Sequence, residues 1–238
     1  KTPLDMSFGF ALDERVDAKL KFAPLTPQNS PVLNMKKPLF AQIQKKDVLL
    51  SYPFENIRQF LALLDECAQD EYVTSIKITL YRVASDSKIV DALIRAAENG
   101  KDVLVLVELR ARFDEESNIS WSKRLEEAGV RVIYGPQDYK VHSKLLLITR
   151  KKGKKEKYIT QICTGNYNEK TSRQYTDLSL MTANTEIAQD AKAVFASLEK
   201  GRTINEAKHL LVAPNLLKQG IVKMIDEQIA LGKDGYIG

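Results

Sequence analysis

The chain has 238 residues, of which 44% are hydrophobic and 28% are charged, and its formal net charge is +5 at pH 7. No apolar run approaches the roughly 18 residues that a membrane helix needs, and no signal-peptide pattern opens the chain, which excludes an integral membrane segment in this sequence. Two cysteines, Cys67 and Cys163, lack metal-ligand spacing and favour a reduced, cytoplasmic protein. The small positive excess points to anionic partners. Because the first residue is Lys1, we expect a piece of a longer protein.

The first 46 residues contain five prolines, which at that density break both helices and central strands. They predict an extended arm, the end of a preceding domain. Helical periodicity begins after the prolines, where five apolar residues recur on one face: Phe54, Ile57, Phe60, Leu61 and Leu64.

Next, β-branched segments alternate with helical ones. Strands are predicted over 73–83, 102–109 and 130–135, and helices over 85–100 and 115–129. Either Ser85 or Ser87 is expected to cap the first of these helices, and Gly100 to end it. Strand–helix–strand–helix–strand order is typical of a parallel sheet with right-handed crossovers.

The pattern then changes to an antiparallel hairpin, with strands over 142–149 and 158–165 and a polar turn over 150–157. A further strand (177–183) and a helix (185–201) follow. Beyond them, Leu217, Ile221, Ile225 and Ile229 form one apolar helix face, which we expect to open a further unit. The predicted fold class is α/β, a mixed sheet flanked by helices.

His142 and Lys144 stand where the first hairpin strand begins. An imidazole nitrogen is a good phosphoryl acceptor, and an ammonium neutralises phosphate oxygens. With a strand period of two, both side chains are expected on the same face. The pair alone is more typical of a strand-entry histidine beside a solvated lysine.

Two further groups bear on this choice. The segment TGNYN follows the returning hairpin strand, where Gly165 permits close approach and the amides of Asn166 and Asn168 can donate to an anion, although such a segment is often a simple turn. Arg82 and Arg112 follow the first two parallel strands, where open sheets bind ligands, although each could pair with a nearby aspartate instead. Together the six residues favour a phosphate-handling site. The basic turn over 151–157 is either a guide for polyanions or a solvated tip.

The sequences HSKLLLI and GNYN resemble the H-x-K and G-x-x-N half-site of the phospholipase D-like superfamily, with Thr149 where its phosphodiesterases place an aspartate. From about Asp47 to Gly201, the chain resembles the polyphosphate kinase family. The resemblance lies in longer stretches such as IKITLYRVASDSKIVDALIRAAENGKDVLVLVELRARFDEESNISWSKRLEEAGVRVIYG and TGNYNEKTSRQYTDLSL. The resemblance implies a phospholipase D-like sheet and three parts. These are the end of a helical domain (1–46), a first C-terminal catalytic domain (47–201) and the start of a truncated second one (202–238).

The resemblance also implies residue roles. His142 matches the phosphorylated histidine, with Lys144 and Asn166 as further catalytic groups. Asn168 and Tyr175 match phosphate and nucleotide contacts. Arg82 and Arg112 match a magnesium and phosphate site. Because a guanidinium has no free lone pair, we expect both arginines to reach Mg²⁺ only through phosphate oxygens.

The function so implied is reversible transfer of the ATP γ-phosphate to inorganic polyphosphate through phosphohistidine, with Mg²⁺ as cofactor and ATP/ADP and polyphosphate as partners. We expect no nucleic-acid partner, and we expect the full-length protein to be a homo-oligomer. It should lie in the cytoplasm or be peripheral at the inner membrane surface. The isolated fragment is expected to be inactive. Two alternatives stay open: a phospholipase D-like phosphodiesterase or nuclease, and a non-catalytic polyanion-binding module.

Overall fold

A computed structural model describes residues 5–81, 83, 86–108, 115–136 and 138–238, without the side chains of 115–119. Its helices are α1 (Phe8–Arg15), α2 (Leu39–Ile43), α3 (Arg58–Gln69), α4 (Lys88–Glu98), α5 (Glu115–Glu127), α6 (Thr185–Leu198) and α7 (Leu217–Ala230). Its strands are β1 (Val48–Tyr52), β2 (Val73–Leu80), β3 (Asp102–Val107), β4 (Arg131–Tyr134), β5 (Leu145–Lys152), β6 (Lys155–Cys163) and β7 (Asp177–Thr182).

These strands form one seven-stranded sheet in the order β1-β7-β6-β5-β2-β3-β4. Strands β2, β3 and β4 run parallel, and all other neighbours are antiparallel. This confirms the predicted fold class, a mixed α/β sheet that joins a parallel part to an antiparallel hairpin.

Helices cover both faces of the sheet, so the central strands are apolar on both sides. Leu146 and Ile148 of β5 pack in one core with α3 and α4. Leu145 and Leu147, which alternate with them, pack in a second core with Phe195 of α6. The continuous apolar run at the start of β5 is therefore explained by burial on two faces.

The helix ends follow the predicted signals. Ser87 caps α4, because its hydroxyl accepts from the amides of Ile89 and Val90 at 3.2 and 3.5 Å. Gly100 lies just past the end of α4 with a φ of 76°, a left-handed conformation that glycine adopts without strain.

One strand was not predicted, and two sequence predictions were wrong in detail. The segment over 48–52 is a strand, β1, that pairs with β7. The arm is not extended throughout, since it contains α1 and α2. The polar turn over 150–157 is mostly strand, because β5 continues to Lys152 and β6 begins at Lys155, which leaves only a two-residue turn. Within the described residues, the structure contains no helix that is long and apolar enough to cross a membrane.

Candidate active site

The candidate site lies at one edge of the sheet, where the parallel strands end. Since β5 is antiparallel to β2, it begins at this edge, and β6 returns to it. The amide of Cys163, at the end of β6, donates to the carbonyl of Lys144 at 3.0 Å. The hairpin therefore brings the segment after β6 back beside His142, as predicted.

Thr79 of β2 fixes the entrance of β5. Its buried hydroxyl donates to the carbonyl of Ser143 at 2.7 Å and accepts from the amide of Leu145 at 3.0 Å. These two bonds determine where His142 and Lys144 stand relative to the sheet. The sequence analysis did not identify this role of Thr79.

The imidazole of His142 is exposed at this edge and packs against one aromatic ring. The ring of Tyr81 meets it edge to face, with centroids 5.0 Å apart. Partial loss of hydration, and then the positive charges of Lys144 and Lys140, lower the pKa of His142 below its usual value. The ring is therefore mostly neutral at pH 7, the form in which an imidazole nitrogen can attack phosphorus.

Lys144 is buried, with 6% of its surface exposed. Its ammonium donates to the carbonyl of His142 at 2.6 Å and lies 5.4 Å from the ring centroid of Tyr81. Burial lowers the pKa of Lys144 to about 8, although Cys163 and Asp177 partly oppose this. Among the described residues no carboxylate forms an ion pair with it. Lys144 is thus a mostly charged group at pH 7 that an anion could neutralise.

His142 and Lys144 lie on a shared side, where both meet the ring of Tyr81, although both precede the strand. Strand β5 begins only at Leu145, so the period of two does not extend to these residues. His142 is exposed and Lys144 is buried, and the lysine side chain folds back onto the histidine backbone. The two groups are neighbours through this hydrogen bond between the Lys144 ammonium and the His142 carbonyl.

The loop after β6 carries the two asparagines. Gly165 packs against the carboxylate of Asp177, where a Cβ would overlap the aspartate. The side-chain oxygen of Asn166 is buried and has no hydrogen-bond partner among the described residues. The side-chain oxygen of Asn168 accepts from the amides of Lys170 and Thr171 at 2.9 and 3.1 Å, so it caps a turn. Only the amide nitrogen of Asn168 could therefore serve the predicted phosphate contact.

Glu169 joins this loop to α4. One carboxylate oxygen accepts from the amide of Lys88 at 2.8 Å and from the hydroxyl of Ser87 at 3.2 Å. A carboxylate at a helix N-terminus is stabilised by the free amides there. The asparagine loop is thereby fixed to the segment that follows β2, a contact that the sequence did not reveal.

A cavity of about 540 Å³ opens beside His142 and Lys144, and it is lined by the start of β5, the end of β6, α6 and the segment over 202–217. Asp190 of α6 fixes that segment, since its carboxylate accepts the amides of Lys208, His209 and Leu210 at 2.7–3.1 Å. Burial raises the pKa of Asp190, but these three backbone donors outweigh it and hold the pKa below the usual value.

The remaining predicted site residues are placed as follows. Arg82 and Arg112 lie outside the described residues. Tyr175 is 59% exposed, in the segment between the asparagine loop and β7, and it does not line the cavity. His209, to which no role was assigned, lines the cavity and lies 2.8 Å from the Glu186 carboxylate.

The described residues do not fit direct metal ligation. They include no group of three histidine, cysteine, aspartate or glutamate side chains that could hold an ion. An arginine guanidinium cannot replace them, because it has no free lone pair.

Comparison with known proteins shows the family. The model of the polyphosphate kinase C-terminal domain 1 matches residues 38–204. The polyphosphate kinase of Vibrio cholerae is 43% identical over 216 residues, which is 91% of this chain and 31% of that protein. The crystal structure of polyphosphate kinase from Porphyromonas gingivalis superposes with a TM-score of 0.78 at 38% identity, and covers 89% of this chain and 36% of that one.

A more distant neighbour shares the fold alone. NucT from Helicobacter pylori superposes with a TM-score of 0.52 at 17% identity, over 66% of this chain and 98% of its own. The chain spans about a third of the length of the curated relatives it matches. By the match over 38–204, this chain belongs to the polyphosphate kinase family, of which it contains the C-terminal domain 1.

Proposed function

We propose that this chain carries the phosphoryl-transfer residue of a polyphosphate kinase, which moves the γ-phosphate of ATP reversibly onto inorganic polyphosphate. The observation that carries the proposal is an exposed imidazole, His142, whose pKa is lowered, beside a buried Lys144 without a carboxylate partner among the described residues. The His142 imidazole is free to act as a nucleophile, and Lys144 supplies an uncompensated positive charge.

In the first step, a ring nitrogen of neutral His142 attacks the γ-phosphorus of ATP in line. A nitrogen–phosphorus bond forms, the bond between the β,γ-bridging oxygen and the γ-phosphorus breaks, and ADP leaves. In the second step, a terminal oxygen of polyphosphate attacks the same phosphorus and restores the imidazole. Lys144 stabilises the negative charge of the group in transfer, and Asn166 is proposed to orient the ring or an oxygen through its amide. Each step exchanges one phosphate bond for another, so the reverse reaction is accessible.

Mg²⁺ enters this proposal only as a partner of the nucleotide. Magnesium usually keeps several waters and binds through substrate phosphates and one or two carboxylates, so a full set of protein ligands is not required. We derive no step through the metal. Arg82 and Arg112 are proposed to hold phosphate oxygens, and Tyr175 the nucleotide.

The phosphohistidine is tested directly with γ-labelled ATP and the full-length protein. We expect label that is stable in base and lost in acid, and that is absent from His142→Ala. Lys144→Gln should retain the histidine but slow labelling by about 10²-fold or more, as loss of one donor to a developing charge does. Label that survives in His142→Ala would show that another residue accepts the phosphoryl group.

A phosphodiesterase would instead pass the intermediate to water. In that case the full-length protein would release nucleotides from DNA or choline from phosphatidylcholine. We expect neither product. We also expect the isolated 238-residue chain to be inactive in turnover, since it covers about a third of its relatives.

A further inference from the structure

The far end of the β5–β6 hairpin carries a set of like charges on one face. Arg150 of β5 lies directly opposite Lys157 of β6, and Lys152 lies directly opposite Lys155. Residues directly opposite share a face, and so do residues two apart in a strand, so all four cations project to the same side. Like charges placed opposite each other destabilise a sheet, so the hairpin carries this set at a cost to its own stability.

This set of four, the basic face, continues onto neighbouring elements. The cations of Arg150 and Lys152 lie 4.9 and 4.7 Å from the ring centroid of Tyr72. Arg150 and Tyr72 also line a groove of about 820 Å³ together with Lys36 and Lys37, which precede α2. Three carboxylates also line this groove, so the unbalanced positive charge lies on the hairpin itself.

Nearby carboxylates compensate only part of this charge. Asp70 pairs with Arg150 at 2.7 Å, and Glu66 accepts the amides of Leu39 and Phe40. Glu156 is on the opposite face of the hairpin, where it pairs with Lys192. Glu71 is an exposed carboxylate that lines the groove.

The three lysines of the basic face remain without acidic partners. In the part of the chain that the structure describes, none of Lys152, Lys155 and Lys157 forms an ion pair with a carboxylate. Their positive charges are therefore available to a ligand.

The ligand that fits is a flexible polyanion without bases. A single-stranded nucleic acid is usually held by exposed aromatic rings on which bases stack. Here the ring of Phe40 is buried, and that of Tyr72 is only partly exposed and already contacts two cations. Lysine ammonium groups are compact point charges that suit phosphate oxygens in any orientation.

We propose that the basic face is a second polyphosphate-binding surface, which holds a part of the polymer remote from its reacting end. The proposal rests on the proposed function for its choice of ligand. From Leu145 to Lys152, β5 covers about 24 Å, so one short anion cannot contact both His142 and the basic face. A short anion bound at His142 therefore does not reach the basic face, whereas a long chain can contact both.

The test measures binding of fluorescently labelled long-chain polyphosphate to the 238-residue chain by anisotropy, at several salt concentrations and without ATP. In K152Q/K155Q/K157Q we expect affinity at low salt to fall at least tenfold. The slope of log K against log salt should also fall by about 2, which is three lost contacts at about 0.7 each. Tripolyphosphate should lose less affinity than the long chain, because it cannot contact His142 and the basic face together. Because like charges are removed, the melting temperature should stay the same or rise.

The matched control is K218Q/K223Q/K233Q, which removes the same charge from three exposed lysines of the C-terminal part. It should bind as the unsubstituted chain does. An equal loss of affinity in both triple variants would show that the effect is one of net charge and would overturn the proposal. A lower melting temperature of K152Q/K155Q/K157Q would overturn the argument that its like-charged pairs destabilise the hairpin.

Two further arms separate the alternatives. If an RNA oligonucleotide of matched charge bound as tightly and with the same dependence on the three lysines, the surface would be a nucleic-acid site instead. In a His142→Ala background, K152Q/K155Q/K157Q should cause the same fold loss of long-chain binding as it does in the unsubstituted chain. Failure of the phosphohistidine test would thus not affect this result, and loss of the basic face would not affect labelling of His142 by ATP.

Discussion

Thr79→Val is expected to destabilise the chain by about 1.5–4 kcal/mol, because a single buried hydroxyl holds the entrance of β5. Valine has nearly the same shape but leaves the Leu145 amide without its 3.0 Å acceptor, and Leu145 is 5% exposed. A buried unsatisfied amide costs about 1–3 kcal/mol. The Ser143 carbonyl also loses its donor, but Ser143 is exposed and water can replace part of that bond, which adds about 0.5–1 kcal/mol.

The measurement is urea unfolding followed by circular dichroism, with a thermal scan beside it. For a chain of this size, the loss corresponds to a melting temperature lowered by about 3–16 °C. Thr79→Ser is the matched control, because it keeps the hydroxyl and loses one methyl group, at about 0.8 kcal/mol. If valine were tolerated as well as serine, the hydroxyl would not be what positions this segment.

Three other outcomes are expected. The pKa of Lys144 is about 8 in the folded chain and 10.5 in the unfolded one, so the unfolded state binds more protons between these values and the free energy of unfolding should rise with pH in that window. In urea unfolding, the free energy of unfolding of the unsubstituted chain minus that of Lys144→Met should therefore grow from pH 8 to 10.5. A constant difference would contradict the lowered pKa. Asp190→Asn should lose the charge that holds three backbone amides, so hydrogen exchange over 208–210 should accelerate about tenfold or more while α6 itself stays protected. Gly165→Ala should cost about 1–3 kcal/mol, since its Cβ overlaps the Asp177 carboxylate, whereas Gly9→Ala, in helix α1 with nothing within 4 Å, should be neutral or stabilise by up to about 1 kcal/mol. Equal melting temperatures for the two variants would refute the packing argument.

Local patterns predicted most of the sheet, because they report which segments are strands and which are helices. The parallel strands and the hairpin follow from alternation and turn chemistry in adjacent segments. Strand β1 was missed because its five residues follow a proline-rich arm, and its partner β7 lies more than 120 residues along the chain. Such long-range pairing leaves no local signal. The hairpin strands were predicted too short because their last residues are charged, and charge reflects exposure there rather than the end of the strand.

The site was predictable in its membership and not in its contacts. The two residues His142 and Lys144 were singled out by residue type. Their different burial depends on the backbone just before β5, where the Lys144 ammonium donates to the His142 carbonyl. Tyr81, which contacts the imidazole, gave no sequence signal of its own and would have been read as strand core. Glu169 gave none either, because its partners on α4 are about 80 residues earlier in the chain.

The Glu169 contact makes two loops mechanically interdependent. One loop carries the asparagines, and the other leads from β2 into α4, so neither can be displaced far without breaking a hydrogen bond between a carboxylate and a helix amide. A phosphate that pulled the asparagine loop inward would tighten the first turn of α4 as well. Binding of a phosphate at the sheet edge would then slow amide exchange in the first turn of α4, without a contact between the ligand and that helix.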